Sequence, residues 1–381
     1  MISPESKNFA GSFKVCLVVL GVLWTFFSLP SLGVDSAVGK QYRNAVPGYN
    51  WVFPRDHGSH PNYRTEWWYF TGELESNRGK VGYQFTIFRQ GTGFESLGEN
   101  RWMSDQLFLG HMAVSVPKNS KHVQTAQFSR GGKSLAEADT QMPGLIRLRN
   151  WTLRWENGEW RIKASRDDIH LELSLEPERE PLLQGPGGYS RKGADTGQAS
   201  LYYSFTRLKT SGTIRWGKKE LNGTGRSWFD HEFGSSQLSD RQTGWDWISV
   251  RMNNGNDLMV YRLREKGGKV SESSQLTIRT EKGTVRYLSP DEWNMTPDRY
   301  WVSSTTGTRY PVKWTLEIPS KNINLIVEPI FDRQEMNFKG ERTQPYWEGM
   351  ITVDGQWSGQ GVTGQGYLEM TGYGGDFNTR F

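Results

Sequence analysis

Glu66-Trp67-Trp68-Tyr69-Phe70-Thr71-Gly72-Glu73-Leu74, then Asn77-Arg78-Gly79, then Val81-Gly82-Tyr83-Gln84-Phe85-Thr86-Ile87-Phe88-Arg89: this stretch decides the fold. Two runs rich in aromatic and β-branched residues flank an Asn/Gly turn, the signature of a β-hairpin. Folding about the turn sets Leu74 against Val81, Phe70 against Phe85, Trp68 against Ile87 and Glu66 against Arg89. One face is then apolar and ends in an acid–base pair.

The same design recurs downstream. Trp245-Asp246-Trp247-Ile248-Ser249-Val250-Arg251 leads into Asn253-Asn254-Gly255-Asn256, and Leu258-Met259-Val260-Tyr261-Arg262-Leu263 returns. Each unit has an acid beside a Trp, an Asn/Gly turn, and an Arg late in the returning strand. The repeat predicts a duplicated β-domain, with the boundary near residues 208–222 and domains at 41–215 and 216–381. Short strand-like runs fill both halves, so the economical closure is two antiparallel β-barrels, which leave no open sheet edges. The fold class is all-β. Residues 178–195, rich in Gly, Pro and charge, carry no periodicity and are expected to form a long ordered loop or lid.

Composition agrees. The 381 residues include 17 Trp, 15 Tyr, 18 Phe and 43 Gly, which suits antiparallel sheet and neither helical bundles nor disorder. With 46 basic and 41 acidic residues the net charge is only +5, and no Lys/Arg run is present. Nothing there calls for nucleic acid. The single cysteine, Cys16, sits in the one strongly apolar segment, which runs from Val15 to Leu29-Pro30 behind Lys7 and Lys14. Small residues Ser31 and Gly33 follow, so residues 1–33 read as a secretory signal peptide; an uncleaved anchor over residues 15–32 is the alternative. The expectation is an exported chain, periplasmic or secreted, that folds without disulfides.

No Gly-x-Ser-x-Gly elbow, His-Glu-x-x-His, Walker loop or Cys-based metal spacing occurs. Four clusters remain. In the first, Asp56-His57-Gly58-Ser59-His60-Pro61 precedes Glu66. His57 and His60 there offer a metal pair, but no third ligand is fixed by spacing, so they are read as loop residues pinned across a barrel mouth. No metal or cofactor is expected. Glu66 is read as the structural partner of Arg89. His111, in an apolar strand, is either a satisfied core histidine or part of a ligand wall.

The densest cluster is Trp228-Phe229-Asp230-His231-Glu232-Phe233, followed after a polar loop by Gly244-Trp245-Asp246-Trp247. Pairing the two strands about that loop would set His231 opposite Asp246, with Asp230 and Glu232 on the other face near the indoles. A one-residue slip exchanges those partners. Carboxyls buried among indoles become proton donors near neutral pH by desolvation, and indole faces stabilise a carbocation. Asp230, His231, Glu232 and Asp246 are therefore the candidate catalytic groups, with Trp68, His111, Trp228, Trp245, Trp247 and Tyr261 as ligand-binding candidates. An ion-paired plug between two barrels is the competing reading. The fourth cluster, Tyr346-Trp347-Glu348-Gly349 with Gly366-Tyr367-Leu368-Glu369-Met370-Thr371-Gly372-Tyr373, is read as closing strands.

Those motifs, with Glu66-Trp67-Trp68-Tyr69-Phe70-Thr71-Gly72 and Gly187-Gly188-Tyr189-Ser190-Arg191-Lys192-Gly193, appear in an order that resembles the AttH-like secreted hydrolases, relatives of the acyclic carotenoid 1,2-hydratases. The resemblance implies tandem lipocalin-like barrels, an exported location, and an isoprenoid or lipid-like ligand. It further implies acid-catalysed hydration or dehydration of an alkene, a hydro-lyase activity; no residues for the family's hydrolase label are identifiable. The rival class is a non-catalytic carrier of a lipophilic molecule that serves an envelope ABC exporter. A monomer that associates with membrane surfaces is expected.

Overall fold

The computed structural model describes residues 39–77, 79–93, 104–195, 197–236, 239, 241–338 and 344–375. The expected leader, residues 1–33 with Cys16, lies outside the described residues. Among these, the chain is strands joined by turns and short 3₁₀ segments, with no α-helix. Among the described residues no helix is long and apolar enough to cross a membrane.

Two antiparallel sheets account for the strands. The first runs in spatial order Lys121–Arg130, Gln106–Val116, Gly79–Gly91, Thr65–Ser76, Lys219–Ser236, Ala199–Trp216, Ile169–Pro177, Glu159–Arg166, Trp151–Glu156, Gly144–Leu148 and Ala136–Ala138. Its ends meet, since Gln127 Nε2 donates to the Leu148 carbonyl at 3.0 Å and Arg149 Nε to that of Phe128 at 3.1 Å. The second runs Val285–Leu288, Gln275–Arg279, Asp257–Glu265, Gln242–Met252, Gln360–Met370, Tyr346–Trp357, Ile323–Pro329, Arg309–Ile318 and Asn294–Val302. The result is the expected pair of lipocalin-like barrels, held within one compact unit, residues 39–381.

The opening hairpin has the expected register: Leu74 faces Val81, Phe70 faces Phe85, Trp68 faces Ile87 and Glu66 faces Arg89. The second hairpin aligns Asp246 with Arg262 in the same manner. Alternation sends one face of each strand into its own barrel. Trp68, Phe70, Phe85, Trp151, Trp160 and Phe229 fill the first barrel and are fully buried. Ile248, Leu258, Trp314, Leu316, Trp347 and Leu368 fill the second.

The opposite faces pack barrel on barrel. Tyr69, Tyr202 and Trp228 from the first sheet meet Trp247, Met259, Met350 and Tyr367 from the second. A buried ion pair, Arg251 Nη2 to Glu73 Oε2 at 2.7 Å, ties the layers together. Gly82 permits the approach, because a Cβ there would lie 2.2 Å from Met350 Sδ and 2.6 Å from the Tyr367 hydroxyl.

Two expectations are corrected. Lys219–Ser236 is not the start of a second domain. It pairs with Thr65–Ser76 and Ala199–Trp216, so the chain changes sheet between Ser236 and Gln242 rather than at residues 215–216. The polar accumulation at residues 208–222 is a long hairpin arm of the first sheet. Residues 178–195 are also more than a loop: Leu182–Leu183 and Tyr189–Arg191 add short strands to Ala199–Trp216 and carry Lys192 inward.

Candidate functional site

The pairing expected between Lys219–Ser236 and Gln242–Met252 does not form. His231 stands opposite Trp68 and Tyr203, and Asp246 stands opposite Arg262 and Met370. A short polar loop is compatible with a hairpin, but Lys219–Ser236 already has a strand on each side. The candidate residues therefore divide among three places.

The first is the layer between the barrels. Asp230 and Glu232 project into it from the strand face opposite His231, as alternation requires. Asp230 Oδ1 accepts from Ser204 Oγ at 2.5 Å and Trp228 Nε1 at 2.7 Å. Glu232 accepts from Ser200 and lies 2.9 Å from Lys192 Nζ. The Lys192 ammonium also stands 3.7 Å above the Tyr261 ring, a cation–π geometry. From the second sheet come Glu348, which accepts from the Tyr69 hydroxyl at 2.6 Å, and Glu369, which is hydrogen-bonded to Trp245. Trp247 donates its indole N–H to the Tyr202 hydroxyl at 3.3 Å. Trp67, Trp245, Tyr261 and Glu369 are partly exposed and form the rim, while Asp230, Glu232, Lys192 and Glu348 are buried behind them.

Four carboxyl groups face one lysine here, so burial is not balanced by pairing. Desolvation pushes Asp230 up to about 7 despite hydrogen bonds from Ser204, Trp228 and Tyr202 that favour the anion. Glu369 rises to about 8, through burial and the neighbouring Asp230 and Glu232. Burial and Glu369 raise Glu348 as well, and burial lowers Lys192 against the pull of Glu232. In this layer burial favours the protonated form of Asp230, Glu348 and Glu369 beside indoles.

The second place is the mouth of the first barrel. Glu66, fully buried, accepts from Arg89 Nε at 2.8 Å and Ser59 Oγ at 3.0 Å on Oε2. Its Oε1 faces His60 Nδ1 at 2.8 Å and His231 Nε2 at 2.9 Å. Burial would raise Glu66, but Arg89 and the two imidazoles hold it well below the carboxylate range. Burial also opposes charge on His60, yet hydrogen bonds with Asp56 and Glu66 raise it, whereas burial lowers His231. His57 turns away from this group, packs on Trp155 at 4.2 Å and lies 2.7 Å from the Tyr203 hydroxyl. Burial, then His231, lowers it to about 3. Trp68 stacks on His231 inside the barrel, with ring centroids 5.0 Å apart, so it does not line the inter-barrel layer. His60 also borders a surface cleft of about 270 Å³ with Arg43, Tyr49, Arg55, Asp56 and Tyr63.

The third place is the mouth of the second barrel, where Asp246 receives Arg262 Nη1 at 2.6 Å, Arg264 Nη1 at 2.5 Å and the Tyr373 hydroxyl at 2.8 Å. Both oxygens are occupied by donors, so Asp246 does not face a ligand. His111 lies at the edge of the first place, facing the second sheet, with Nδ1 2.8 Å from the Tyr346 hydroxyl and its ring 4.3 Å from Phe338. Burial lowers it to about 3.

Sequence reasoning missed Lys192, Tyr69, Tyr202, Glu348 and Glu369. Glu348 and Glu369 were read as parts of closing strands, which they are, but each sits where alternation turns it outward between the barrels. The usable signal was an acid at an otherwise apolar or aromatic strand position. Lys192 lay within the Gly187–Gly193 motif, but nothing local marked it as the partner of Glu232.

Two lipocalin-like barrels packed face to face, with a carboxyl-rich aromatic layer between them, define the class of protein. A sequence model of the AttH-like family matches residues 44–373, and the chain belongs to that family. The crystal structure of a protein of Nitrosomonas europaea described as AttH is 32% identical to this chain. It covers 87% of this chain and 99% of its own, with a TM-score of 0.78. Kievitone hydratase of Nectria haematococca shares the fold at 13% identity and a TM-score of 0.66, over 88% of this chain and 97% of its own. The dehydratase AsqC of Emericella nidulans is 23% identical over 217 residues, which is 55% of this chain. The match spans 60% of AsqC's length.

Proposed function

We propose that the chain is a hydro-lyase that adds water to, or removes it from, a double bond of an apolar isoprenoid or lipid-like molecule in the layer between the barrels. The observation that carries this reading is Asp230, a buried carboxyl set against the Trp228 indole and close to Trp247. In the hydration direction Asp230 gives its proton to one alkene carbon. The cation left on the other carbon is sheltered by the faces of Trp228, Trp245 and Trp247. Water adds there and passes a proton to the Glu232–Lys192 pair, and proton return to Asp230 closes the cycle. Dehydration is the reverse, with Asp230 protonating the departing hydroxyl. Fixed dipoles from Ser204, Tyr202 and Trp228 are already aimed at the carboxylate that forms.

Two further findings favour this reading. Two relatives carry hydratase and dehydratase names. The first barrel is also filled by fully buried aromatic side chains, which argues against a hollow carrier at that level. A carotenoid 1,2-hydratase-like reaction on a terminal alkene is the finer form of the proposal. The test is mass-spectrometric detection of the gain or loss of water in acyclic polyenes and their tertiary alcohols. Asp230→Asn should lower turnover by about 10²–10⁴-fold, with a melting temperature near wild type because the shape is kept. Full activity in that variant would sink the assignment.

A further inference from the structure

We propose that His60, Glu66 and His231 form a binding site for one first-row divalent metal ion at the mouth of the first barrel. Their ligand atoms all lie within 4.8 Å of one another. The absence of a metal was expected because His57 and His60 had no third ligand. The fold separates those two histidines and supplies Glu66 and His231 instead, the latter 165 residues from the former in sequence.

The orientation of the rings carries the argument. His231 Nδ1 lies 3.1 Å from the Asp56 carbonyl oxygen, which can only accept. That nitrogen therefore bears the hydrogen, and the neutral ring turns the lone pair of Nε2 onto Glu66 Oε1 at 2.9 Å. The Tyr203 hydroxyl is the longer neighbour of Nδ1, at 3.3 Å. At His60, Nδ1 faces the same Glu66 oxygen at 2.8 Å, while Nε2 has Asp56 Oδ1 at 3.5 Å, an ion-pair distance rather than a hydrogen bond. Lone pairs at that separation repel unless positive charge lies between them. Two protons can supply it, and so can one divalent cation, with no change in buried charge beside Arg89.

The two distances that share Glu66 Oε1 fit adjacent positions around one ion. Donor atoms about 2.1 Å from a metal and at right angles to one another lie about 3.0 Å apart, against about 3.4 Å for a tetrahedron. The observed pairs, 2.8 and 2.9 Å, match the first. Asp56 would hold the outer nitrogens of both rings, through its carboxylate for His60 and its carbonyl for His231, the arrangement that orients metal-ligating imidazoles. Phe233, stacked on the His60 ring at 3.6 Å, fixes that ring in place. Only His60 borders the surface cleft, so an ion enters past it and keeps its remaining positions for water or a small ligand. Arg89 and Ser59 occupy Glu66 Oε2, so Oε1, which also accepts the His60 backbone N–H at 3.1 Å, is the single carboxylate donor.

The test uses the full chain, stripped with a chelator and then loaded with zinc(II) or cobalt(II). One equivalent of zinc should survive gel filtration, and cobalt should give visible d–d absorption. His60→Ala and His231→Ala should each weaken zinc binding by at least about tenfold. Glu66→Gln also strands Arg89, so His60→Ala, at the cleft, is the decisive variant. Failure to retain zinc together with absent cobalt bands would overturn the site and leave a hydrogen-bonded latch. Retention that is unchanged in both histidine variants would overturn it too, by locating the metal elsewhere. The site lies on the opposite strand face from Asp230, so this outcome is independent of the hydro-lyase test.

Discussion

Glu66 and Asp246 occupy matched positions in two hairpins of the same design. Each faces into its own barrel, and each is aligned with an arginine on the returning strand, Arg89 and Arg262. The remaining partners differ. Glu66 is shared by two imidazoles, His60 and His231, which carry nitrogen lone pairs able to bind a metal. Asp246 is shared by a second guanidinium, Arg264, and a tyrosine, Tyr373, which do not. The second mouth is a fixed ionic clasp, while the first keeps the elements of a working site. What separates them is the neighbouring strand and loop, since His231 comes from Lys219–Ser236 and His60 from the segment before Thr65.

The largest effect expected from breaking this symmetry is that of Glu66→Gln. It leaves Arg89, which has no exposed side-chain surface, without its counter-charge. A loss of about 3–5 kcal/mol in urea unfolding is expected; a loss under about 1 kcal/mol would mean that the cluster is not what holds the mouth. Asp246→Asn should cost less, about 2–3 kcal/mol, because Arg262 and Arg264 keep 13% and 10% of their side-chain surface exposed to water. Equal losses would erase the distinction between the two mouths.

The pH dependence sharpens the comparison with the layer between the barrels. Asp230 and Glu369 bind their protons more tightly folded than unfolded, at about 7 and about 8. Their contribution to stability is present at low pH and is lost as pH rises from about 4 to about 8. Glu66 and Asp56 have the opposite sign: their lowered values give stability above the unfolded carboxylate range, lost as pH falls. Glu369→Gln should flatten the decline on the alkaline side by about 1–3 kcal/mol, and Glu66→Gln should weaken the acid-side decline. Denaturant midpoints between about pH 2 and about pH 9 check both. An unchanged slope in Glu369→Gln would show that this carboxyl is solvated in the folded chain.

The smallest effect expected is that of Gly82→Ala. The added methyl meets the flexible end of Met350 and the Tyr367 hydroxyl, so the barrels must part slightly, at a cost of about 1–2 kcal/mol. A neutral result would mean that the inter-barrel packing is looser than its distances imply.

Much of the site was legible in part. Strand alternation placed Asp230 and Glu232 on one face and His231 on the other, and this holds. The reading that set His231 against Asp246 failed because sequence proximity was taken for pairing, while Lys219–Ser236 was already bonded to Thr65–Ser76. Glu348 and Glu369 were passed over because their neighbours are apolar and aromatic, as closing strands require. Nothing local reports that their outward faces are buried by a second barrel.

The sequence by itself determined the all-β class, both hairpins, the register of the first, and the cross-strand pair of Glu66 with Arg89. These depend on the two-residue period of the strand and on short turns, which cost little closure entropy. Only the tertiary structure decided which strand lies beside Lys219–Ser236, which carboxyls meet between the barrels, and that Lys192 joins them. It also decided that His60 and His231 converge on a single oxygen of Glu66. Those contacts join residues far apart in the chain, and they form only because each barrel must bury a whole strand face, a requirement that no short stretch of sequence expresses.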